Sequence, residues 1–377
     1  MSFSQSSALK CASAVLAAAI LGCGPRDGSK EFREGKEAYE LRDLKRAEKF
    51  FERSVVLAPQ DADRLLYLAR TELELGELAK AQAAISRAAE NSDGEADVAL
   101  LEAQIAWHAK DYAAASGGFA DIANDAKLEA SVRAQGWAGL GVVEMTCDNH
   151  HLARVAFLRA LRLDRRNAAA WYHLGLLYRD GFGYLEAALE QFEIFVRLEE
   201  EASPRVQKVQ RTIIPALKEQ IARAATELPG AASRNSSACA TSISAAEAAV
   251  KKGNFKSARE AYQQALAADP LSYPAALGLA KAWERTDTTK QGQNKAFEAY
   301  KTACALRPGA VSTFLTTGAL ALKLGLALQA VEIYSRAIAA SPNSVDAIDG
   351  LIRALRKTGG KAKVAEAYQT YRDSLKK

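Results

Sequence analysis

Cys147, Asp148, Asn149, His150 and His151 place thiol, carboxylate and imidazole groups in five consecutive residues, the side-chain types that ligate transition metals. A metal centre needs donors that converge on one point, and neighbouring side chains rarely do. No second cluster at ligand spacing stands elsewhere in the 377 residues, so this stretch reads as a solvated turn and no metal or cofactor is expected. Catalytic sets are equally missing: no serine–histidine–acid set and no paired-carboxylate site stand out. Gly181-Phe182-Gly183 lacks the preceding strand that a phosphate cradle requires. The chain therefore reads as a non-enzyme. Two further groups carry chemistry that suits binding. His108 and His173 occupy corresponding places on repeated helices, both on the side expected to face a groove. Arg154, Arg159, Arg162, Arg165 and Arg166 form a basic stretch, read as a solvated outer face.

The elements that must position these residues are set by a period. Ala47, Ala81, Ala115 and Ala153 are separated by 34, 34 and 38 residues. Four residues beyond them stand Phe51, Ile85, Phe119 and Phe157, followed by Phe192, and later Tyr262, Tyr300, Tyr334 and Tyr368. Eight of these nine are Phe or Tyr in a chain that is 7% aromatic, so the column is not an accident of composition. Positions i and i+4 share one helix face, and a fixed period of this length means stacked copies of one helix–turn–helix unit. Each helical pair has more than one apolar face and buries the second only against its neighbour. The expected fold is all-α: an α-solenoid of antiparallel helix pairs, about nine repeats in two blocks.

The repeats resemble the tetratricopeptide repeat, whose signature is W-x2-L-G-x2-Y, then A-x3-F, then P. The fifth unit gives Trp171-x2-Leu174-Gly175-x2-Tyr178, its first half letter for letter. The eighth supplies Phe314, Gly318, Gly325, Ala330, Tyr334 and Pro342, and the ninth is the weakest. The resemblance implies a superhelix whose concave groove is lined by the first helix of each repeat. Carried onto this sequence, groove positions fall on Lys36, Tyr39, Tyr67, Arg70, Gln104, Trp107, His108, Tyr172 and Arg179. Exposed aromatics beside Arg and Lys suit a protein or extended-peptide partner. Some relatives clamp a partner's terminal carboxylate with Lys and Asn in the first repeat. Here those positions hold Phe32 and Lys36, which argues against that mode.

The N-terminus reads as a targeting segment. A polar stretch with one charge, Lys10, precedes an apolar run from Cys11 to Gly22, too short to span a bilayer. The sequence Ile20-Leu21-Gly22-Cys23 resembles a bacterial lipobox, which implies cleavage before Cys23 and a lipid on its thiol; Gly24 at the next position implies the outer membrane. Without Lys10 the chain carries 49 basic and 45 acidic residues, a net of +4 that does not point to nucleic acid. The expected layout is a signal peptide (1–22), a tether (23–30), a five-repeat block (31–202), a capping helix or degenerate repeat (203–230), a linker (231–242) and a four-repeat block (243–377). Cys147, Cys239 and Cys304 sit far apart, so no disulfide framework is expected. The function expected is a lipid-anchored interaction scaffold facing the periplasm, in an envelope assembly or export machine. The alternatives are an accessory or regulatory subunit of an envelope enzyme and a homo-oligomeric structural lipoprotein.

Overall fold

The computed structural model describes residues 27–92, 94–226 and 234–376, all of them in helices, turns and connecting segments with no strand. The proposed signal peptide and Cys23 lie outside the described residues. The helices follow one another as antiparallel pairs: α1 Ser29–Glu40 with α2 Leu44–Leu57, α3 Ala62–Glu74 with α4 Leu78–Asn91, and α5 Ala96–His108 with α6 Tyr112–Asn124. Then come α7 Ala130–Thr146 with α8 His150–Leu163, and α9 Ala168–Leu176 with α10 Leu185–Leu198. After a further helical stretch follow α13 Ser236–Lys251 with α14 Phe255–Ala268, α15 Tyr273–Thr286 with α16 Lys290–Leu306, α17 Val311–Lys323 with α18 Ala327–Ala340, and α19 Val345–Thr358 with α20 Ala362–Ser374.

Local chemistry sets the ends of these helices. Asp43, Asp61, Asp111, Asn167, Asn254 and Ser344 each accept a backbone N–H of the first helical turn through their side chains. Within the pairs the first helix stops at a left-handed residue, at Arg42, Gly76 and Lys110 and again at Asp148, Gly253 and Gly325. In each of these turns the next residue's N–H bonds back to a carbonyl five residues earlier, as from Asp43 to Ala38 and from Asp111 to Ala106, both at 2.9 Å. That closes the helix and turns the chain by a Schellman arrangement. The aromatic column packs on small residues. A Cβ on Gly35 would lie 2.6 Å from the Phe51 ring, and one on Gly350 would lie 2.1 Å from the Tyr334 ring.

The chain folds as two bodies, an N-terminal one ending at Gly139 and a C-terminal one beginning at Leu140, with the division inside α7. The N-terminal body holds the first three repeats and the first part of α7, and the C-terminal body holds the rest. This differs from the layout expected from sequence, where the fourth and fifth repeats belonged to the first block. The reason is a contact no local pattern encodes: α8 packs against α20. The expected linker also needs correction. Ser236 to Ser242 belong to α13, capped by Asn235 and packed on α14, with Cys239 and Ala246 buried. Small side chains that read as a linker are here a close helix–helix contact.

The 203–226 stretch is one helical path: α11 Pro204–Lys208, a π-helical segment Val209–Ile213, and α12 Ile214–Thr226. Val206, Val209, Ile213 and Leu217 form its buried stripe, and α12 lies on α10. A second π-helical segment, Leu177–Phe182, extends α9.

Candidate functional site

In the N-terminal body the first helices of successive repeats lie side by side. Phe32 and Tyr39 on α1 meet Tyr67 on α3, with ring centroids 5.4 and 6.4 Å apart, and Phe51 of α2 closes the cluster 5.6 Å from Tyr67. The ammonium of Lys36 sits 4.4 Å above the Phe32 ring and 4.6 Å above the Tyr67 ring, and the Arg70 guanidinium lies 5.6 Å from Tyr67. Lys36, Tyr39, Tyr67 and Arg70, read separately from the sequence, are thus one half-buried cluster. Neither Lys36 nor Arg70 has a carboxylate within 4.0 Å among the described residues. The Tyr39 hydroxyl donates to Glu74, which Arg42 also holds at 2.6 Å. Burial first, and then that hydrogen bond to Glu74, push the Tyr39 phenol up to about 12, so it stays a neutral donor. Phe32, at the position where relatives carry a clamp lysine, is a packing ring against Phe51.

The next first helix, α5, touches α3 and carries the remaining N-terminal candidates. Gln104 and His108 are exposed, and Trp107 is half-buried with its ring 4.7 Å from His108 in an edge-on contact. Tyr172 and Arg179 lie in the C-terminal body and have internal neighbours. Tyr172 packs on Phe192 and Phe195 beneath the Arg205 guanidinium, and Arg179 grips Asp180 through two bonds of 2.6 and 2.7 Å.

Lys45 and Lys80 tie the outer face of the N-terminal body together through Glu48 and Glu77. Glu48, Glu52 and Glu72 bring carboxylate oxygens within 4.8 Å of one another, the one group among the described residues with the types and spacing to hold a cation. Both oxygens of Glu48 are already taken by Lys45 and Lys80, so the cluster is an ion-pair network. Glu72 is 4% exposed, and burial pushes its carboxyl up to about 7 against the opposing pull of Lys80.

The C-terminal body contains the arrangement that sequence reasoning missed. Arg154, read as part of a solvated basic face, is wholly buried. Its Nε donates to the Tyr368 hydroxyl at 2.6 Å, Nη1 to the Ser335 carbonyl at 3.0 Å, and Nη2 to Ser335 Oγ at 3.2 Å. Phe182, from the π-helical segment, covers the guanidinium at 4.7 Å. No carboxylate pairs with this cation among the described residues; neutral oxygens and ring faces stand in for one. The repeat beginning at α7 is thereby fastened to the last repeat, 214 residues along the chain. The physical reason for the correction is that α18 and α20 cover the face of α8 that a simple stack would leave to water.

The donor-rich turn resolves into separate roles. Cys147 is exposed and free, His150 lies 3.8 Å from Asp148, and His151 turns inward toward Tyr368 at 3.4 Å. Burial, and then Arg154, hold His151 down at about 3, so its ring stays neutral. His173, expected on a groove, instead stacks on Phe157 at 6.0 Å, and burial lowers it to about 4. Cys239 and Cys304 are buried thiols. No helix among the described residues is long and apolar enough to cross a membrane.

Comparison with known proteins agrees with the helix pairs. A sequence profile of the tetratricopeptide repeat matches residues 32–96, 66–127 and 243–311. No curated protein matches the chain. Among solved structures, MamA is 19% identical over 46% of this chain and 93% of its own, with a TM-score of 0.35. PilF of Pseudomonas aeruginosa is 17% identical over 52% of this chain and 91% of its own, with a TM-score of 0.41. The Cut9–Hcn1 assembly of the APC/C is 14% identical over 95% of this chain and 80% of its own, with a TM-score of 0.38. None of these likenesses carries a function across.

Proposed function

We propose that the chain, whose helix pairs match the tetratricopeptide repeat over residues 32–96, 66–127 and 243–311, is a non-enzymatic docking scaffold held at a bacterial envelope membrane by a lipid on Cys23. The partner surface is the row of first helices in the N-terminal body. The observation that carries this reading is the pair Lys36 and Arg70, each over the Tyr67 ring and each without a carboxylate neighbour among the described residues. Half-buried aromatics supply contact area at low conformational cost, and two unpaired cations select acidic groups. The occupant that fits is an extended protein segment with acidic residues flanking an apolar one, crossing α1, α3 and α5 toward Gln104, Trp107 and His108. An envelope assembly or export machine would use such a scaffold to gather components at the membrane.

A photo-crosslinker at exposed Gln104 tests the surface in intact cells. A discrete crosslinked species is expected from the wild-type background, and it should disappear when Lys36→Glu and Arg70→Glu are combined. An unchanged species in that double variant would place the partner elsewhere. The anchor is tested separately: Cys23→Ser should move the protein from the membrane fraction to the soluble one, and retention on the membrane would remove the lipid from the proposal.

A further inference from the structure

The closure of the C-terminal body leaves a cavity of about 330 Å³ between its early and late repeats. One side is built from α8, α9 and α10, and the other from the end of α18, the turn after it and α20. A simple stack of repeats has no such enclosure, since each repeat meets only its neighbours. The cavity exists because Arg154 fastens α8 to α18 and α20.

Its walls are of two kinds. Leu158, Leu161, Leu174 and Ile194 give an apolar floor. Arg162 and Arg165 bring two guanidiniums, neither with a carboxylate within 4.0 Å among the described residues, against a single lining acid, Glu190. The cationic side is held in place. The Trp171 indole N–H donates to the Arg165 carbonyl at 2.8 Å, which fixes both the ring and the backbone that carries the guanidinium. Tyr371 donates to Asn343 Oδ1 at 3.1 Å; burial pushes its phenol up to about 12, so it adds no negative charge.

We propose that this cavity is a binding site for a small organic anion with an apolar body, independent of the partner surface on the N-terminal body. Two forked guanidiniums suit a carboxylate, sulfonate or phosphate group, and the leucine–isoleucine floor beside the Trp171 ring takes an aromatic or branched moiety. The volume lies at the lower end of small-molecule sites, too small for a folded partner.

Anilinonaphthalenesulfonate, which joins an aromatic body to one anion, is the probe. Titrated into the folded protein it should bind saturably at one site and alter Trp171 emission, an effect absent in Trp171→Phe. Arg162→Ala with Arg165→Ala should weaken binding about tenfold or more, and so should N-phenylnaphthylamine, which lacks the sulfonate. Arg336→Ala, in the neighbouring cavity lined by Tyr184 and Phe314, should change nothing. Arg162 and Arg165 are exposed, so the double variant should keep its helical circular dichroism; if it does not, Arg165→Glu alone serves, with the same loss expected. Absence of saturable binding, equal binding of the neutral analogue, or binding unaffected in the folded arginine variants would overturn the proposal.

Discussion

Both bodies of this protein set a cation over aromatic rings, with opposite results. In the N-terminal body Lys36 lies over Phe32 and Tyr67 and keeps its charge available. In the C-terminal body Arg154 lies over Phe182 and Tyr368, and its donors are taken up by Tyr368 and Ser335. One arrangement leaves its cations with no carboxylate neighbour among the described residues. The other is an internal fastening that needs none, because neutral oxygens complete it. The same residue chemistry stays open or is closed off according to whether the chain itself supplies the acceptors.

The largest effect should come from breaking the fastening. Arg154→Ala leaves the Ser335 and Tyr368 groups without their partner and should cost about 3–5 kcal/mol of stability. Arg154→Met, which keeps apolar volume under Phe182, should cost distinctly less. Chemical denaturation followed by hydrogen exchange in α18 and α20 reads both. Unchanged exchange in Arg154→Ala would show that α20 is held by packing alone.

The two bodies should also answer pH in opposite directions. In the N-terminal body Glu72 is held up at about 7, so the folded form takes up a proton more readily than the unfolded one. The resulting stability is complete below the ordinary carboxylate range and fades as pH rises through about 7. Glu72→Gln should therefore gain on wild type between pH 5 and pH 8, by about 1–3 kcal/mol. In the C-terminal body His151 and His173 are held down at about 3 and 4, so their contribution is complete above the usual histidine value and is lost as pH falls below it. Exchange rates measured body by body at the two pH values would contradict this if both moved together.

Packing in the two bodies can be compared through glycine. Gly35→Ala and Gly350→Ala each drive a methyl into an aromatic ring, and each should cost about 1–3 kcal/mol. Gly350 should cost more, since Tyr334 is also pressed against Gly318 and has less room to give. Equal thermal shifts would mean that both rings yield freely. The smallest effect is expected at Lys110, which holds a left-handed backbone at φ 63°. Lys110→Gly should add up to about 1 kcal/mol to the N-terminal body, read from its denaturation midpoint.

The repeats were legible because they are local. Ala47 and Phe51 face one way by helix geometry alone, and the turn at Gly76 follows from a residue that tolerates positive φ. The aromatic–cation cluster was half legible: Lys36, Tyr39, Tyr67 and Arg70 were each singled out by position, but only the packing of α1 on α3 shows that they share one patch. Arg154 was not legible. Its burial depends on curvature accumulated over every repeat between α8 and α20, and within its own stretch it is one arginine among five. One signal was available. α20 carries Tyr368 and Tyr371, both buried, where a helix face left to water would be polar. The linker reading failed at Ser236–Ser242 for the opposite reason: small residues look like slack in a sequence and act as contact in a helix pair.

The fastening at Arg154 has a consequence for how this protein can change length. An open stack can gain or lose a 34-residue copy at little cost, since only one neighbour interface is rebuilt. Between α8 and α20 that freedom is gone, because inserting or deleting a copy would carry Tyr368 away from Arg154. The C-terminal body is therefore a counted object, fixed in copy number by its own geometry, whereas the first three repeats remain open to duplication.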